Sequence, residues 1–387
     1  MQMALIAGRQ MTSKRINSLI RLAIPLALFI IFLFTINGAI YFHLIRSPWN
    51  IGDWLINYQG GFVRRGLLGE GMLRLAHMLE VNPGAIVVVL QCSIYAVFLF
   101  FAWLLLRIQT TLIPHLPLLL SPFIFLFHVF DRVGGYRKEI ILFSIMAYLV
   151  WLARRPNKHI FEYIFYGVML GYPLLILSHE MLAVWLPYLL VIFLYTLRLT
   201  AKRMVILLGL VSLSGLAFVM SMSASGNAHI SALIDQSLQP FGYSDPYGAV
   251  AFLAIDGHKA LISTWTTAKD GAYFIYYPQA IVLCLLAFIP VRKSLAKVLA
   301  TPWAKPLLMV SLIGTILISL VGIDWGRFIY ASFVPLFLLT LLVDSRPAAT
   351  SYSAKTIGLS ILALIVYASC WYLPYATNAF PYRWPFS

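Results

Sequence analysis

The chain has 387 residues, of which 61% are hydrophobic, 15% aromatic and only 11% charged, and its mean hydropathy is +0.88. A soluble domain carries roughly 25% charged residues, so this composition excludes a globular protein covered by water. The formal net charge of +15 does not indicate nucleic-acid binding, because Lys and Arg flank membrane spans and set their orientation. The composition predicts an all-α, polytopic transmembrane bundle with a single membrane domain over residues 1–387.

Apolar segments of about 20 residues, the length that crosses a ~30 Å hydrocarbon layer, recur along the whole chain. Apolar length and breaker residues predict about eleven spans. The spans lie near residues 22–42, 84–106, 113–130, 139–153, 160–178, 181–198, 204–222, 275–290, 306–322, 327–343 and 356–374. The third contains Pro114, Pro117 and Pro122 and the fourth is short, so either could be tilted or re-entrant.

The distribution of charge predicts the orientation. The apolar run from Leu22 to Phe42 is too long for a signal peptide, so it is predicted to be an uncleaved first span after a cytoplasmic N-terminus. With that orientation, 17 of the 28 Lys and Arg residues are cytoplasmic, in agreement with the positive-inside rule. The acidic residues divide more sharply, since 11 of the 13 lie on the outer side. Chemistry or polar-ligand binding is therefore expected on the outer face, where the C-terminus also lies.

Two outer loops are long, about 43–83 and about 223–274. A stripe of four leucines in the first loop predicts an amphipathic helix that lies in the membrane interface. These are Leu67, Leu68, Leu75 and Leu79. The second loop has semi-apolar stretches that are interrupted by Asp256, His258 and Lys259, so they are expected to lie along the membrane rather than cross it.

The segment DWLINYQGGFVRRGLLGE, residues 53–70, comes soon after the first span. Its Gly60-Gly61 pair would let the backbone approach a ligand closely. Arg64 and Arg65 suit phosphate or pyrophosphate, because a guanidinium donates two parallel hydrogen bonds to such oxygens. The alternative is that both arginines anchor the protein at lipid headgroups. Their position on the outer side runs against the charge rule and favours a ligand-binding role.

A second Gly-Gly segment, DRVGGYRKE, occupies residues 131–139 in a short loop between two spans. Several of its charges are expected at bilayer depth, where charges are costly unless they are paired or face an aqueous cavity. Mutual ion pairing among Arg132, Arg137, Lys138 and Glu139 is one interpretation. Binding of an anionic headgroup is the other.

The tripeptide Ser178-His179-Glu180 lies in a turn too short to leave the membrane interface. His179 and Glu180 are a plausible general acid/base or metal-binding pair. Adjacent residues point roughly 100° apart on a helix, so they would not chelate one ion as an i,i+4 pair does. The alternative is a histidine whose hydrogen bonds are satisfied at a helix end.

Asp324 and Arg327 lie between two apolar spans in the segment GIDWGRFIYAS. With a spacing of i,i+3 they can share a helical face and pair. Structural pairing and a role in substrate binding are both open. Four separate loops thus bring carboxylate, histidine and arginine to one face, which predicts a cavity that opens there.

A multi-span chain with Asp53 in the first outer loop, nearby arginines and a second long outer loop resembles membrane glycosyltransferases of the GT-C type. It also resembles the bacterial O-antigen and capsule polymerases of the Wzy type. Both kinds use polyprenyl-phosphate- or pyrophosphate-linked sugars on the outer face. The resemblance implies that Asp53 is a base for the acceptor hydroxyl or a metal ligand. The arginines that would bind the lipid-linked phosphate are Arg64, Arg65, Arg137 and Arg327.

The first loop lacks the Asp-x-Asp or Glu-x-Asp pair of the GT-C pattern, so a divalent cation is left open as a cofactor. The residues predicted to act in catalysis are Asp53, His179 and Glu180. Those predicted to bind substrate are Arg64, Arg65, Arg132, Arg137, Lys138, Asp324 and Arg327.

The expected partners are a polyprenyl-phosphate- or pyrophosphate-linked saccharide, membrane lipid and polysaccharide-assembly proteins, without nucleic acid. The chain contains no Asn-x-Ser/Thr sequon, which favours a bacterial inner membrane over the endoplasmic reticulum. A transporter or flippase of lipid-linked sugars is an alternative that would need polar residues through both membrane halves. A non-catalytic membrane subunit is a further alternative.

Overall fold

A computed structural model of the chain describes residues 2–224, 226–243, 247–344 and 354–376. Every regular element within these ranges is helical, so the predicted all-α class is confirmed. The α-helices are α1 (Gln2–Leu44), α2 (Gly66–Leu79), α3 (Pro83–Arg107), α4 (Leu116–Leu119), α5 (Phe127–Phe130), α6 (Glu139–Ala153), α7 (Lys158–Ser178), α8 (Leu182–Thr196), α9 (Ala201–Ser223), α10 (Ala228–Leu238), α11 (Gly257–Asp270), α12 (Tyr273–Phe288), α13 (Arg292–Leu299), α14 (Ala304–Val321), α15 (Trp325–Thr340) and α16 (Ala354–Ser369). The predicted C-terminus on the outer side lies outside the described residues.

Six helices among the described residues are long and apolar enough to cross a membrane. They are Asn17–Leu44, Pro83–Arg107, Lys158–Ser178, Ala201–Ser223, Tyr273–Leu299 and Ala304–Val321. Three more of the predicted spans form shorter apolar helices, α6, α8 and α15. Membrane-spanning helices are therefore supported by length and composition, whereas the number of eleven stays a prediction.

The short helices form the centre of the bundle, and the long ones surround it. On α6, side chains on every face are buried, including Leu142, Phe143 and Met146. By contrast, only 17% of the apolar window is buried in α1 and in α14. A helix that is apolar on all sides belongs in a protein interior or against lipid, and the two groups of helices divide between these environments.

Residues 113–130 do not form the single helical span predicted there. A 3-10 turn at Ile113–His115 leads into α4, and irregular backbone separates α4 from α5. Pro114, Pro117 and Pro122 explain the break, because proline removes a backbone donor and clashes with the preceding turn. Side chains of this segment, such as Phe123 and Phe125, are buried in the protein, where irregular backbone is tolerated at membrane depth.

Two separate polar groups lie at opposite ends of the bundle. At one end, Arg21 Nη1 donates to the carbonyl oxygen of Arg107 at 3.0 Å. The backbone N–H of Thr110 donates to Asp344 there, at 2.8 Å. At the other end, the beginnings of α6 and α15 meet the turn between α7 and α8. The two polar groups thus mark two different ends of the bundle, and which end faces the cytoplasm stays a prediction.

The two long loops, about 43–83 and 223–274, pack against each other at the end of the bundle where α6 and α15 begin. Asn57 Nδ2 donates to Ser237 Oγ at 3.0 Å. The rings of Trp49 and Phe252 make an edge contact with centroids 6.2 Å apart. Because both loops contribute to one layer, the residues after the first span are held against the bundle by the second loop.

The predicted helix in the first loop is present as α2, but its buried face differs from the leucine stripe. Met72, Leu73 and Ala76 face the protein. Leu75 and Leu79 are 38% and 54% exposed, because Gly69 on the other face lets the helix lie directly against the backbone of Ile56. The position of α2 in the membrane interface stays a prediction.

Candidate functional site

Asp53 lies in a buried 3-10 turn, Gly52–Leu55, that follows α1. Its Oδ1 is 3.4 Å from Arg65 Nη1, and its Oδ2 is 3.8 Å from Lys138 Nζ. Burial alone would raise the pKa of this carboxyl, but the positive charges of Lys138 and Arg65 hold the pKa well below its usual range. Asp53 is therefore an ionised carboxylate between two cations.

Arg65 caps the N-terminus of α2 and joins the first loop to the turn after α7. Its guanidinium forms a two-pronged pair with Glu180, with Nε–Oε2 at 3.0 Å and Nη2–Oε1 at 2.6 Å. Burial opposes ionisation of Glu180, but Arg65 lowers the pKa of this carboxyl to about 2. Arg65 has a left-handed backbone with φ 69°. Non-glycine residues held in this conformation cluster at functional sites.

Lys138 is completely buried just before α6. Its Nζ donates to the carbonyl oxygens of Asp53 at 2.7 Å and Ser178 at 3.0 Å. Burial lowers the pKa of this amine. Because the Asp53 carboxylate also lies 3.8 Å away, the amine links the first loop, α6 and α7 within the protein.

His179 and Glu139 form the second half of the network. His179 Nε2 lies 3.4 Å from Glu139 Oε1, which also lies 3.2 Å from Arg327 Nε. Arg327 pairs with Asp324 across the expected i,i+3 spacing, with Nη1–Oδ2 at 2.7 Å. Within the part of the chain that the structure describes, His179 Nδ1 and Glu139 Oε2 are buried without a hydrogen-bond partner. The half of the network around Asp53 and the half around Glu139 meet at His179 and Glu180, which are adjacent in the chain.

Three predicted site arginines stand outside these ion pairs. Arg137 is buried, donates to the carbonyl oxygen of Trp49 at 2.9 Å and leaves Nε without a partner among the described residues. Arg64 likewise has a buried Nε without a partner there. Burial and the positive charge of Arg65 lower the pKa of Arg64. Arg132 is exposed, so the structure does not bring its side chain into the buried network.

A small cavity lies beside the network. Its walls include Gly134, Gly135, Arg137, Glu139 and Arg327, and its volume is about 10 Å³. That volume holds about one water molecule. Sites for small organic ligands measure roughly 300–1,000 Å³, so this cavity is too small to hold such a ligand.

Two residues near the site were not predicted from the sequence. Met181 Sδ lies between two arginines, 3.9 Å from Arg65 Nη2 and 3.7 Å from Arg327 Nη2. Its position directly after Glu180 is the one signal that could have identified it. The backbone N–H of Tyr375 donates to Asp131 Oδ2 at 2.7 Å. A tyrosine beyond the last apolar span carries no pattern that points to the site.

Among the described residues, no group of three or more His, Cys, Asp or Glu side chains is arranged to hold a metal ion. The carboxylates of Asp53, Glu139 and Glu180 are instead turned toward Lys and Arg. The site thus holds anionic and cationic groups side by side, together with His179 Nδ1, which has no hydrogen-bond partner among the described residues.

Comparison with models of known protein families gives no match, and neither functionally characterised proteins nor solved structures match the chain. A fold alone does not determine chemistry. Function is therefore inferred from the residues of the site.

Proposed function

We propose that the chain is a membrane glycosyltransferase or polysaccharide polymerase that uses a polyprenyl-phosphate- or pyrophosphate-linked sugar on the outer face. One observation carries this proposal: side chains from four separate loops meet in one buried ion-pair network that includes Asp53 and Glu180. Burying so many charges is costly. In membrane proteins, ionisable residues at such depth mark functional sites by default.

The reaction defines what the site must supply. The acceptor hydroxyl oxygen bonds to the anomeric carbon of the donor sugar while the bond from that carbon to the phosphate oxygen breaks. The electron pair leaves with the phosphate, and the hydroxyl proton passes to a base. Fixed cations stabilise the growing negative charge on the phosphate. Arg64 and Arg137 support this role, because each has a buried Nε without a partner among the described residues.

We assign the base to His179 and an electrostatic role to Asp53. A carboxylate kept ionised by two cations has a low pKa and is a weak base near neutral pH. His179 places Nε2 against Glu139 and leaves Nδ1 without a partner in the described part of the chain. A proton on Nε2 would donate to Glu139 and leave the Nδ1 lone pair for the acceptor hydroxyl.

We further infer eleven membrane crossings, with residues 113–130 as an irregular one, and a bacterial inner membrane with a cytoplasmic N-terminus. The faces of α11 support placing the second loop in the outer interface. Thr264 and Ala268 are buried, whereas Leu261, Ile262 and Trp265 are exposed along an adjacent stripe. Large apolar side chains that face away from the protein suit the boundary between headgroups and acyl chains.

The proposal is tested by separate substitutions Asp53→Asn, Arg65→Ala and His179→Ala in the producing cell. The distribution of surface polysaccharide lengths is the readout, and membrane extracts establish that each variant inserts. Loss of long polymer in these variants is expected. If all three insert normally and leave the polymer lengths unchanged, the transferase proposal is wrong.

A transporter or flippase of lipid-linked sugars is a second candidate, and the irregular crossing favours it. Residues 113–130 carry buried His115, Ser121 and His128, and broken helices line the sites of many transporters. The side of the membrane on which the lipid-linked sugar accumulates separates the two functions. In His179→Ala cells, accumulation on the outer leaflet indicates a lost transferase, and accumulation on the cytoplasmic leaflet indicates a lost transporter.

A further inference from the structure

The chain after α16 returns to the candidate site. Trp371 and Leu373 are buried, and the ring of Trp371 lies 6.0 Å from that of Phe123. These two side chains anchor residues 371–373 in the bundle. Residues 374–376, which we call the strap, continue as non-helical backbone past the loop 131–135 and the beginning of α15.

Three hydrogen bonds hold the strap in place. The N–H of Tyr375 donates to Asp131 Oδ2 at 2.7 Å, and the N–H of Gly326 donates to the carbonyl oxygen of Tyr375 at 3.0 Å. The hydroxyl of Tyr277 donates to the carbonyl oxygen of Pro374 at 3.2 Å. The strap therefore bridges Asp131 to Gly326, the residue next to Arg327 of the ion-pair network.

Two glycines allow the strap to lie this close. A Cβ atom added to Gly326 would overlap the carbonyl oxygen of Pro374. One added to Gly134 would overlap the Cβ of Tyr375. Gly134 is also a wall of the small cavity beside Arg137 and Glu139. Gly134 of the DRVGGYRKE segment thus allows the strap to lie against the outer side of the cavity wall.

The closed cavity leaves polar atoms without partners. Arg137 Nε and Glu139 Oε2 are buried and have no hydrogen-bond partner among the described residues, yet the space beside them admits about one water molecule. Elements held by few contacts open at lower free energy than packed helices. The strap is non-helical, and its Tyr375 and Ala376 are only partly buried against the core, whereas α6 and α15 on the other sides are buried along their length.

We propose that the strap closes the candidate site, and that a ligand reaches Arg137, Glu139 and Arg327 only after residues 374–376 move away from Gly134 and Gly326. The inference rests on the proposed function for the nature of the ligand, a lipid-linked saccharide. The movement itself does not depend on that function. It leaves Trp371 and Leu373 in place. It requires the three hydrogen bonds of the strap to break and the partly buried Tyr375 and Ala376 to leave the core.

The test places a reporter cysteine in the cavity wall by Ile140→Cys, after the three native cysteines have been replaced by alanine. These are Cys92, Cys284 and Cys370. A small, charged methanethiosulfonate reagent is applied to the purified full-length protein in detergent. In the otherwise unchanged chain the reporter should react slowly. Adding Gly326→Ala should raise the labelling rate by about tenfold, which corresponds to about 1.4 kcal/mol in the opening equilibrium.

Gly167→Ala on α7 is the matched control, because a Cβ atom there meets no neighbouring atom within 4 Å. Tyr375→Ala is a second opening variant, which keeps the Cβ next to Gly134 but removes the partly buried ring without introducing a clash. This variant replaces Gly326→Ala if Gly326→Ala does not give a single folded species by size-exclusion chromatography. Faster labelling in an opening variant but not in the control supports the strap.

Two results would contradict the proposal that the strap closes the site. One is fast labelling of Ile140→Cys in the otherwise unchanged chain. The other is an equal labelling rate in the folded opening variants and in Gly167→Ala. Neither measurement involves sugar transfer, so a strap that opens in a protein without transferase activity would contradict the proposed function alone.

Discussion

Arg65 and Glu180 are separated by 115 positions in the chain, yet Nε and Nη2 of the arginine face both carboxylate oxygens of the glutamate. The same guanidinium reaches Asp53 through Nη1 at 3.4 Å. Its side chain is only 14% exposed. One arginine therefore contacts two buried carboxylates from different loops and ties the first loop to the turn between α7 and α8.

Arg65→Ala should destabilise the protein by about 3–5 kcal/mol, because removing one member of a buried pair leaves unpaired charge in a poorly solvated site. The matched control is Arg74→Ala, since Arg74 pairs with Glu70 but is 79% exposed. That loss should be below about 1 kcal/mol, as for surface pairs. Denaturant unfolding in detergent measures both. Equal losses in the two variants would contradict a structural role for the buried pair.

His179→Ala should lower sugar transfer by about 10²–10⁴-fold, the usual contribution of a general base. His77→Ala is the control, because His77 lies on α2 at the same end of the bundle as His179 but is exposed. The measurement is incorporation of sugar from a lipid-linked donor into polymer by membranes that contain equal amounts of each variant. Similar rates in both variants would remove His179 from the chemistry.

Acidification should weaken the fold through Glu180. Arg65 lowers the pKa of this carboxyl from 4.5 to about 2 despite burial, so the folded state favours the ionised form. The stability that results is present above about pH 4.5 and is lost as the pH falls toward 2. Unfolding free energies measured across this range should therefore decline less in Glu180→Gln than in the unchanged chain. Parallel declines would show that Glu180 does not provide the linkage.

The orientation can be measured with single cysteines in a background without the native ones. Tyr247→Cys lies in the second long loop and should react with an impermeant reagent added outside spheroplasts. Arg155→Cys lies in the loop between α6 and α7 and should react only after permeabilisation. Both positions are exposed. The reverse pattern would place the ion-pair network on the cytoplasmic side.

Much of the fold follows from apolar length and charge. Membrane burial demands long apolar helices, and the spans near 84–106 and 160–178 coincide with α3 and α7. The conformation of residues 113–130 could not be predicted in this way. Hydropathy reports how apolar a segment is, but whether a proline-broken backbone is sheltered by other helices depends on distant parts of the chain.

The site was predicted as a gathering of four loops, and the structure brings Asp53, Lys138 and Glu180 together. Which charged residues pair with one another could not be predicted from the sequence. Lys138 was predicted to bind substrate, which stays a prediction, and in the structure its amine donates to two backbone carbonyls. A lysine pattern does not reveal which backbone oxygens lie near it. Only the i,i+3 pair of Asp324 and Arg327 could be derived from spacing, because both residues share one helix end.

The irregular backbone of residues 113–130 has a consequence for how this chain is made. Phe127 stacks on Tyr330 with centroids 4.2 Å apart, and the ring of Phe123 lies 5.7 Å from Phe333. These partners belong to α15 and leave the ribosome long after residues 113–130. A proline-interrupted segment cannot satisfy its backbone in lipid by itself. Earlier helices also contact the segment, through Thr35 of α1 and Phe98 of α3. Its packing can therefore begin with α1 and α3, but it is complete only after α15 has been synthesised.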